Sequence, residues 1–171
     1  IHSSRTRFAG RLNSGVRQHM KVRFLSIAFA MTWLPVQPAI AKPDPMCGPL
    51  REFVSSVQPG ETRALELHTS WGSNFKDSAE PAISARRCDH YGYAPAAAVC
   101  AYLMEHGATE FSGNNLKRAV ICLSPKTRMD PELSFGSAVI SLTYGGSDVS
   151  LEFAEDPKVG GMVLKLAAEG Y

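Results

Sequence analysis

His68 and His90 each stand near a carboxylate in this chain, and that pairing is the first chemistry the sequence offers. In "ETRALELHT" His68 follows Glu66 by two residues, and a strand puts positions i and i+2 on one face. A histidine oriented by a carboxylate can serve as a general base. His90 lies in "CDHYGY", next to Asp89 and Tyr91 and two residues after Cys88. Loops fixed by a scaffold often carry sites. Trp71, Phe75, Tyr91 and Tyr93 give the same region amphipathic aromatic area of the kind enriched at interface hot spots.

Two classes of function follow. One is a binding surface built from His68, Trp71, Phe75, Asp89, His90, Tyr91 and Tyr93, in an inhibitor-like or accessory protein that holds another protein or a component of the cell envelope. The other is a small secreted hydrolase using a histidine–carboxylate pair. The chain contains no G-x-S-x-G, P-loop, H-E-x-x-H or G-x-G-x-x-G. Binding without catalysis is therefore the expectation, and no residue is assigned a catalytic role. His106, on an apolar helix face, reads as a packing residue.

Four cysteines, Cys47, Cys88, Cys100 and Cys122, bear on the compartment. An even count in an exported chain of this size predicts two disulfides. Cys100–Cys122 with Cys47–Cys88 is the preferred pairing, because a helix packed on a central strand would bring Cys100 to Cys122. Cys47–Cys122 with Cys88–Cys100 is the alternative. Zinc sites favour close C-x-x-C pairs, and the nearest cysteines here are Cys88 and Cys100. No metal and no other cofactor is expected.

Export is read from "MKVRFLSIAFAMTWLPVQPAIAKPDP". Lys21 and Arg23 precede an uncharged apolar core from Phe24 to Leu34, and Ala39-Ile40-Ala41 has the A-x-A form of a cleavage site. Pro35, Gln37 and Pro38 oppose a spanning helix over the same stretch. The expectation is a leader over 1–19 from an over-extended start, a signal peptide over 20–41, and a mature domain over 42–171 that is periplasmic or secreted. No stable membrane span should remain after cleavage.

The charge balance depends on that cut. Residues 1–41 hold six of the 18 basic side chains and no acid, so 12 basic residues face 16 acidic ones in the remainder, a formal charge of −4. The adjacent pairs Arg86-Arg87 and Lys117-Arg118 read as solvated surface. A mildly acidic domain without a basic cluster lacks the electrostatic footprint of a nucleic-acid binder, so nucleic acid is not an expected partner. Nothing in the sequence fixes the oligomeric state.

The elements that must position these residues come from periodicity. Leu50, Phe53, Val54 and Val57 fall on one helical face. "ETRALELHT" alternates as a half-buried strand. Residues 70–93 show no sustained period and read as a long loop. "APAAAVCAYLMEHG" reads as a second helix with Val99, Tyr102, Leu103 and His106 on one face, extended by Cys100 and Met104. "LKRAVICL" reads as a central strand from its aliphatic and β-branched content. "SAVISLTYG", "DVSLEFAED" and "GMVLKLAAE" form a meander with turns at Gly145-Gly146 and Asp156-Pro157 to Gly161. The predicted fold is α+β: one mostly antiparallel sheet of about five strands, two helices on one face, stapled by disulfides.

Overall fold

The computed structural model describes residues 43–171; the leader and signal-peptide assignments over 1–41 lie outside the described residues. The chain runs α1 (Cys47–Ser55), β1 (Thr62–Trp71), β2 (Ser84–Asp89), α2 (Ala94–His106), α3 (Gly113–Leu123), β3 (Ala138–Tyr144), β4 (Ser147–Glu155) and β5 (Met162–Gly170). All five strands join one antiparallel sheet in the order β2-β1-β5-β4-β3. The α+β class and the single five-stranded sheet match the expectation, but the described residues hold three helices rather than two.

The extra helix is "LKRAVICL", and the strand expected there does not exist. Leu116, Ala119, Val120 and Leu123 are buried, and their spacing is a helical face. Val120 and Ile121 argue for a strand by composition alone, and composition yields to packing. The fifth strand comes instead from the expected loop. β2 pairs with β1 from Glu66↔Asp89 to Trp71↔Ser84. Its sequence, Ser-Ala-Arg-Arg-Cys-Asp, has no apolar alternation because β2 is an edge strand, and charged side chains protect edges from further pairing. Arg86 donates to the Gly107 carbonyl at 2.9 Å, and Arg87 pairs with Asp77 at 2.8 Å.

One face of the sheet is apolar. Leu65, Leu67, Val149, Leu151, Phe153, Leu164, Leu166 and Ala168 are buried there with Leu50, Phe53 and Val54 of α1, Val99 and Leu103 of α2, and Leu116 and Val120 of α3. Within α2, Ala96, Val99, Cys100 and Leu103 point inward, whereas Met104 and His106 are exposed, against their expected burial. The meander is as read: Gly145 and Gly146, both at positive φ (60° and 85°), form the two-residue link between β3 and β4.

The disulfides take the alternative pairing. Cys47–Cys122 ties α1 to α3 with Cα atoms 4.8 Å apart, and Cys88–Cys100 ties β2 to α2 at 5.5 Å. The preferred pairing fails for a specific reason. It placed Cys122 on a strand beneath α2, whereas Cys122 belongs to a helix packed beside α1. The opposite face of the sheet carries no helix among the described residues. By register it displays Glu66, Asp89, Asp148, Glu152 and Glu169 against Arg87 and Lys165.

Candidate functional site

β1 presents Glu66 and His68 on the uncovered face, as the alternation requires, but His68 is not an exposed strand histidine. Only 8% of it is accessible. Asn74 accepts the Phe75 N–H on its side-chain oxygen, and Lys76 N–H donates to the Val159 carbonyl at 2.8 Å. The segment after β1 is thereby bonded to the β4–β5 turn at this end of the sheet.

That turn supplies the partner for His68. Asp156 follows β4, and its Oδ1 accepts the backbone N–H groups of Lys158 (2.9 Å) and Val159 (3.2 Å). Its Oδ2 lies 2.7 Å from His68 Nδ1. Burial pushes the Asp156 carboxyl upward, but the Val159 N–H, His68 and the Lys158 N–H outweigh it and hold the group below the ordinary carboxylate value. An ionised carboxylate accepts, so Nδ1 carries the proton. The other ring nitrogen, Nε2, faces Glu66 Oε2 at 3.5 Å and Asp89 Oδ2 at 4.0 Å. Asp89 reaches the site because β2 sets it opposite Glu66.

Tyr91 completes the cluster from the turn after β2. It holds a positive φ of 49° and is 65% exposed. Partial desolvation first, then Glu66 and Asp89, push its phenol above its ordinary value. The result is one buried imidazole inside three carboxylates, with an exposed phenol at its edge. Chemically this is an oriented, hydrogen-bonded histidine, and its free nitrogen is aimed at anions.

Of the seven predicted site residues, the structure gathers His68, Asp89 and Tyr91. Trp71 is 53% exposed but sits at the far end of β1, opposite Ser84. Five residues separate it from the Glu66↔Asp89 pair, about 16 Å along the strand. Phe75 is buried, with the Arg87 guanidinium 4.9 Å over its ring. Tyr93 packs edge-on against Phe53 at 5.9 Å, lies beneath Arg63, and shares a 2.8 Å hydrogen bond with Ser56. These two are scaffold. His90 is half-buried, and its Nδ1 has no hydrogen-bond partner among the described residues.

Asp156 was not among the predicted site residues. Asp-Pro announces a turn, but nothing local tells that the turn reaches a strand 88 residues earlier. Lys117-Arg118 also departs from the solvated surface expected of it. Arg118 grips Asp44 through Nε (2.6 Å) and Nη2 (2.8 Å) and donates to Tyr102 Oη at 2.6 Å. Lys117 is buried. Neither is solvated surface. No group of three or more metal-ligating side chains is arranged to hold an ion among the described residues, and no helix there is long and apolar enough to cross a membrane. Comparison with family models, with curated proteins and with solved structures finds no match to this chain.

Proposed function

We propose that this chain is an exported, non-enzymatic binding protein, inhibitor-like or accessory in role, that docks a basic protein partner on the uncovered face of its sheet. The observation that carries this reading is Tyr91, 65% exposed at the edge of the Glu66, His68, Asp89 and Asp156 cluster. An exposed aromatic beside ordered carboxylates is the arrangement that recognises Arg or Lys side chains, through charge-assisted hydrogen bonds and ring contact. The face as a whole supports the same sign of partner, with five acids by register, Glu66 and Asp89 among them, against two bases. Two intramolecular disulfides suit a periplasmic or secreted compartment, as does the signal-like segment over 20–41.

The hydrolase reading rests on one contact, the 2.7 Å His68–Asp156 pair. Against it, Nε2 is turned to Glu66 and Asp89, where a nucleophile or water would have to stand. One experiment separates the two. The oxidised protein is cross-linked to its own cell-envelope extract, the partner is identified by mass spectrometry, and binding is remeasured with purified components. Tyr91→Ala and Asp89→Asn are expected to weaken binding roughly tenfold each, with affinity falling as salt rises. Hydrolysis of ester, amide or glycan substrates that His68→Ala abolishes would replace this reading by the catalytic one.

A further inference from the structure

On the helix-covered side, a cavity of about 530 Å³ opens between the N-terminus of α3, the 131–136 segment and the ends of β4 and β5. Its walls are mainly apolar, including Phe111, Leu133, Phe135, Phe153 and Met162. Phe111 and Leu133 are exposed at 68% and 43%, an apolar lip that water otherwise covers at a cost. That volume lies within the roughly 300–1,000 Å³ of small-molecule sites.

Three polar features of this wall suit an anion. Lys117 is only 9% accessible; its Nζ donates to the Pro131 carbonyl at 3.0 Å, and no carboxylate pairs with it among the described residues. Burying an ammonium against one neutral acceptor leaves donors and charge uncompensated. One turn earlier, α3 begins at Gly113 with no side-chain cap and no acid in its first turn; the Asn114 and Asn115 N–H groups already donate to the Phe111 and Ser112 carbonyls, so the helix start contributes the positive end of its dipole rather than free donors. Ser112, 6% accessible, lines the same wall, and its hydroxyl makes no hydrogen bond among the described residues. The acids that border the cavity, Glu110, Glu132 and Glu155, are all exposed, where water screens them.

We propose that this cavity binds an amphiphilic monocarboxylate, a fatty-acid-like molecule. Its headgroup is taken by Lys117, the Ser112 hydroxyl and the start of α3, and its chain lies along Phe111, Leu133 and Phe135. The ammonium and the helix dipole supply the positive potential, the hydroxyl supplies a directed donor, and the aromatic wall supplies the affinity. This site is independent of the docking face assigned to Tyr91.

Calorimetric titration of the full, oxidised protein with dodecanoate, dodecyltrimethylammonium and acetate tests the assignment. Dodecanoate is expected to bind one to one, acetate at least a hundredfold more weakly, and the cationic amphiphile not measurably. Lys117→Met, which keeps the buried stem, is expected to weaken dodecanoate roughly tenfold or more, and Ser112→Ala about threefold. Amide chemical-shift changes at Gly113 and Lys117 of the unaltered protein give the same answer should Lys117→Met not fold. Failure of dodecanoate to bind, equal binding by Lys117→Met, or preference for the cation would overturn the proposal. So would acetate binding as well as dodecanoate, which would mark an adventitious ion only.

Discussion

His68 Nδ1 and Asp156 Oδ2 stand 2.7 Å apart across 88 residues of chain, and both residues are buried. The contact fixes the β4–β5 turn against β1, so it has a stability consequence whatever the site does. Asp156→Ala removes acceptors for His68, Lys158 N and Val159 N at once. A loss of about 2–4 kcal/mol is expected. Asp156→Asn, which keeps an acceptor for the two backbone N–H groups, should lose less than half of that. Urea unfolding at neutral pH measures both.

The same carboxyl gives acid sensitivity with a definite sign. Its folded value lies below its unfolded one, so the folded chain binds fewer protons there. The stabilisation is complete above the unfolded value near pH 4 and declines as pH falls through the folded value. Asp44 behaves alike, because the hydrogen bond from Arg118 depresses it. Unfolding free energy should therefore fall steeply below about pH 4. Asp156→Asn should flatten part of that slope, which a pH series of denaturant melts reads directly.

Arg118 predicts a difference between two cations. Its bidentate hold on Asp44 and its bond to Tyr102 use the planar fork of the guanidinium. About a quarter of each charged side chain remains exposed, so solvent weakens the pair. Arg118→Met should cost about 2 kcal/mol after that discount. Arg118→Lys should recover less than half of it, since one ammonium cannot satisfy both carboxylate oxygens and the phenol. A double-mutant cycle with Asp44→Asn isolates the coupling.

The two disulfides should differ in worth. Cys47–Cys122 spans 75 residues and Cys88–Cys100 spans 12. Loop-closure entropy assigns the first roughly 4.5 kcal/mol and the second roughly 3 kcal/mol. Paired alanine substitutions, Cys47→Ala with Cys122→Ala against Cys88→Ala with Cys100→Ala, are expected to show that order in denaturant midpoints. The reverse order would mean that the short bridge acts by holding the edge strand β2 on the fold.

What the sequence made legible follows the range of each signal. Elements with their own period were readable: Leu50, Phe53 and Val54 for α1, and Val149, Leu151 and Phe153 for β4. At α3 the helical period is present in Leu116, Ala119, Val120 and Leu123, but the aliphatic and β-branched content of the same stretch signals a strand. β2 left no period to read, because Arg86 and Arg87 serve an edge. The pairing of Cys122 went wrong with the element that carries it. Glu66 beside His68 was visible from alternation, whereas Asp156 was not, since a contact made by a returning turn leaves no mark in local sequence. Lys117 is hidden similarly: its ammonium bonds to the Pro131 carbonyl, 14 residues on.

That returning turn has its own requirement, and it yields the sharpest contrast between neighbours. Gly160 and Gly161 both hold positive φ, 85° and 76°. A side chain at Gly160 would meet only the flexible Lys76 stem, at 3.4 Å, whereas one at Gly161 would run into the Thr69 carbonyl. Gly160→Ala should therefore cost only the conformational term, about 1 kcal/mol. Gly161→Ala must also move backbone against β1, beside His68, and should exceed 3 kcal/mol. In thermal melts that separates the two by roughly 10 °C. If the turn is what holds Asp156 on His68, Gly161→Ala should also remove most of the acid sensitivity that Asp156 contributes, while Gly160→Ala leaves it in place. Equal melting temperatures for the two variants would mean that the β4–β5 turn does not press on Thr69, and the link between that turn and His68 would have to be abandoned.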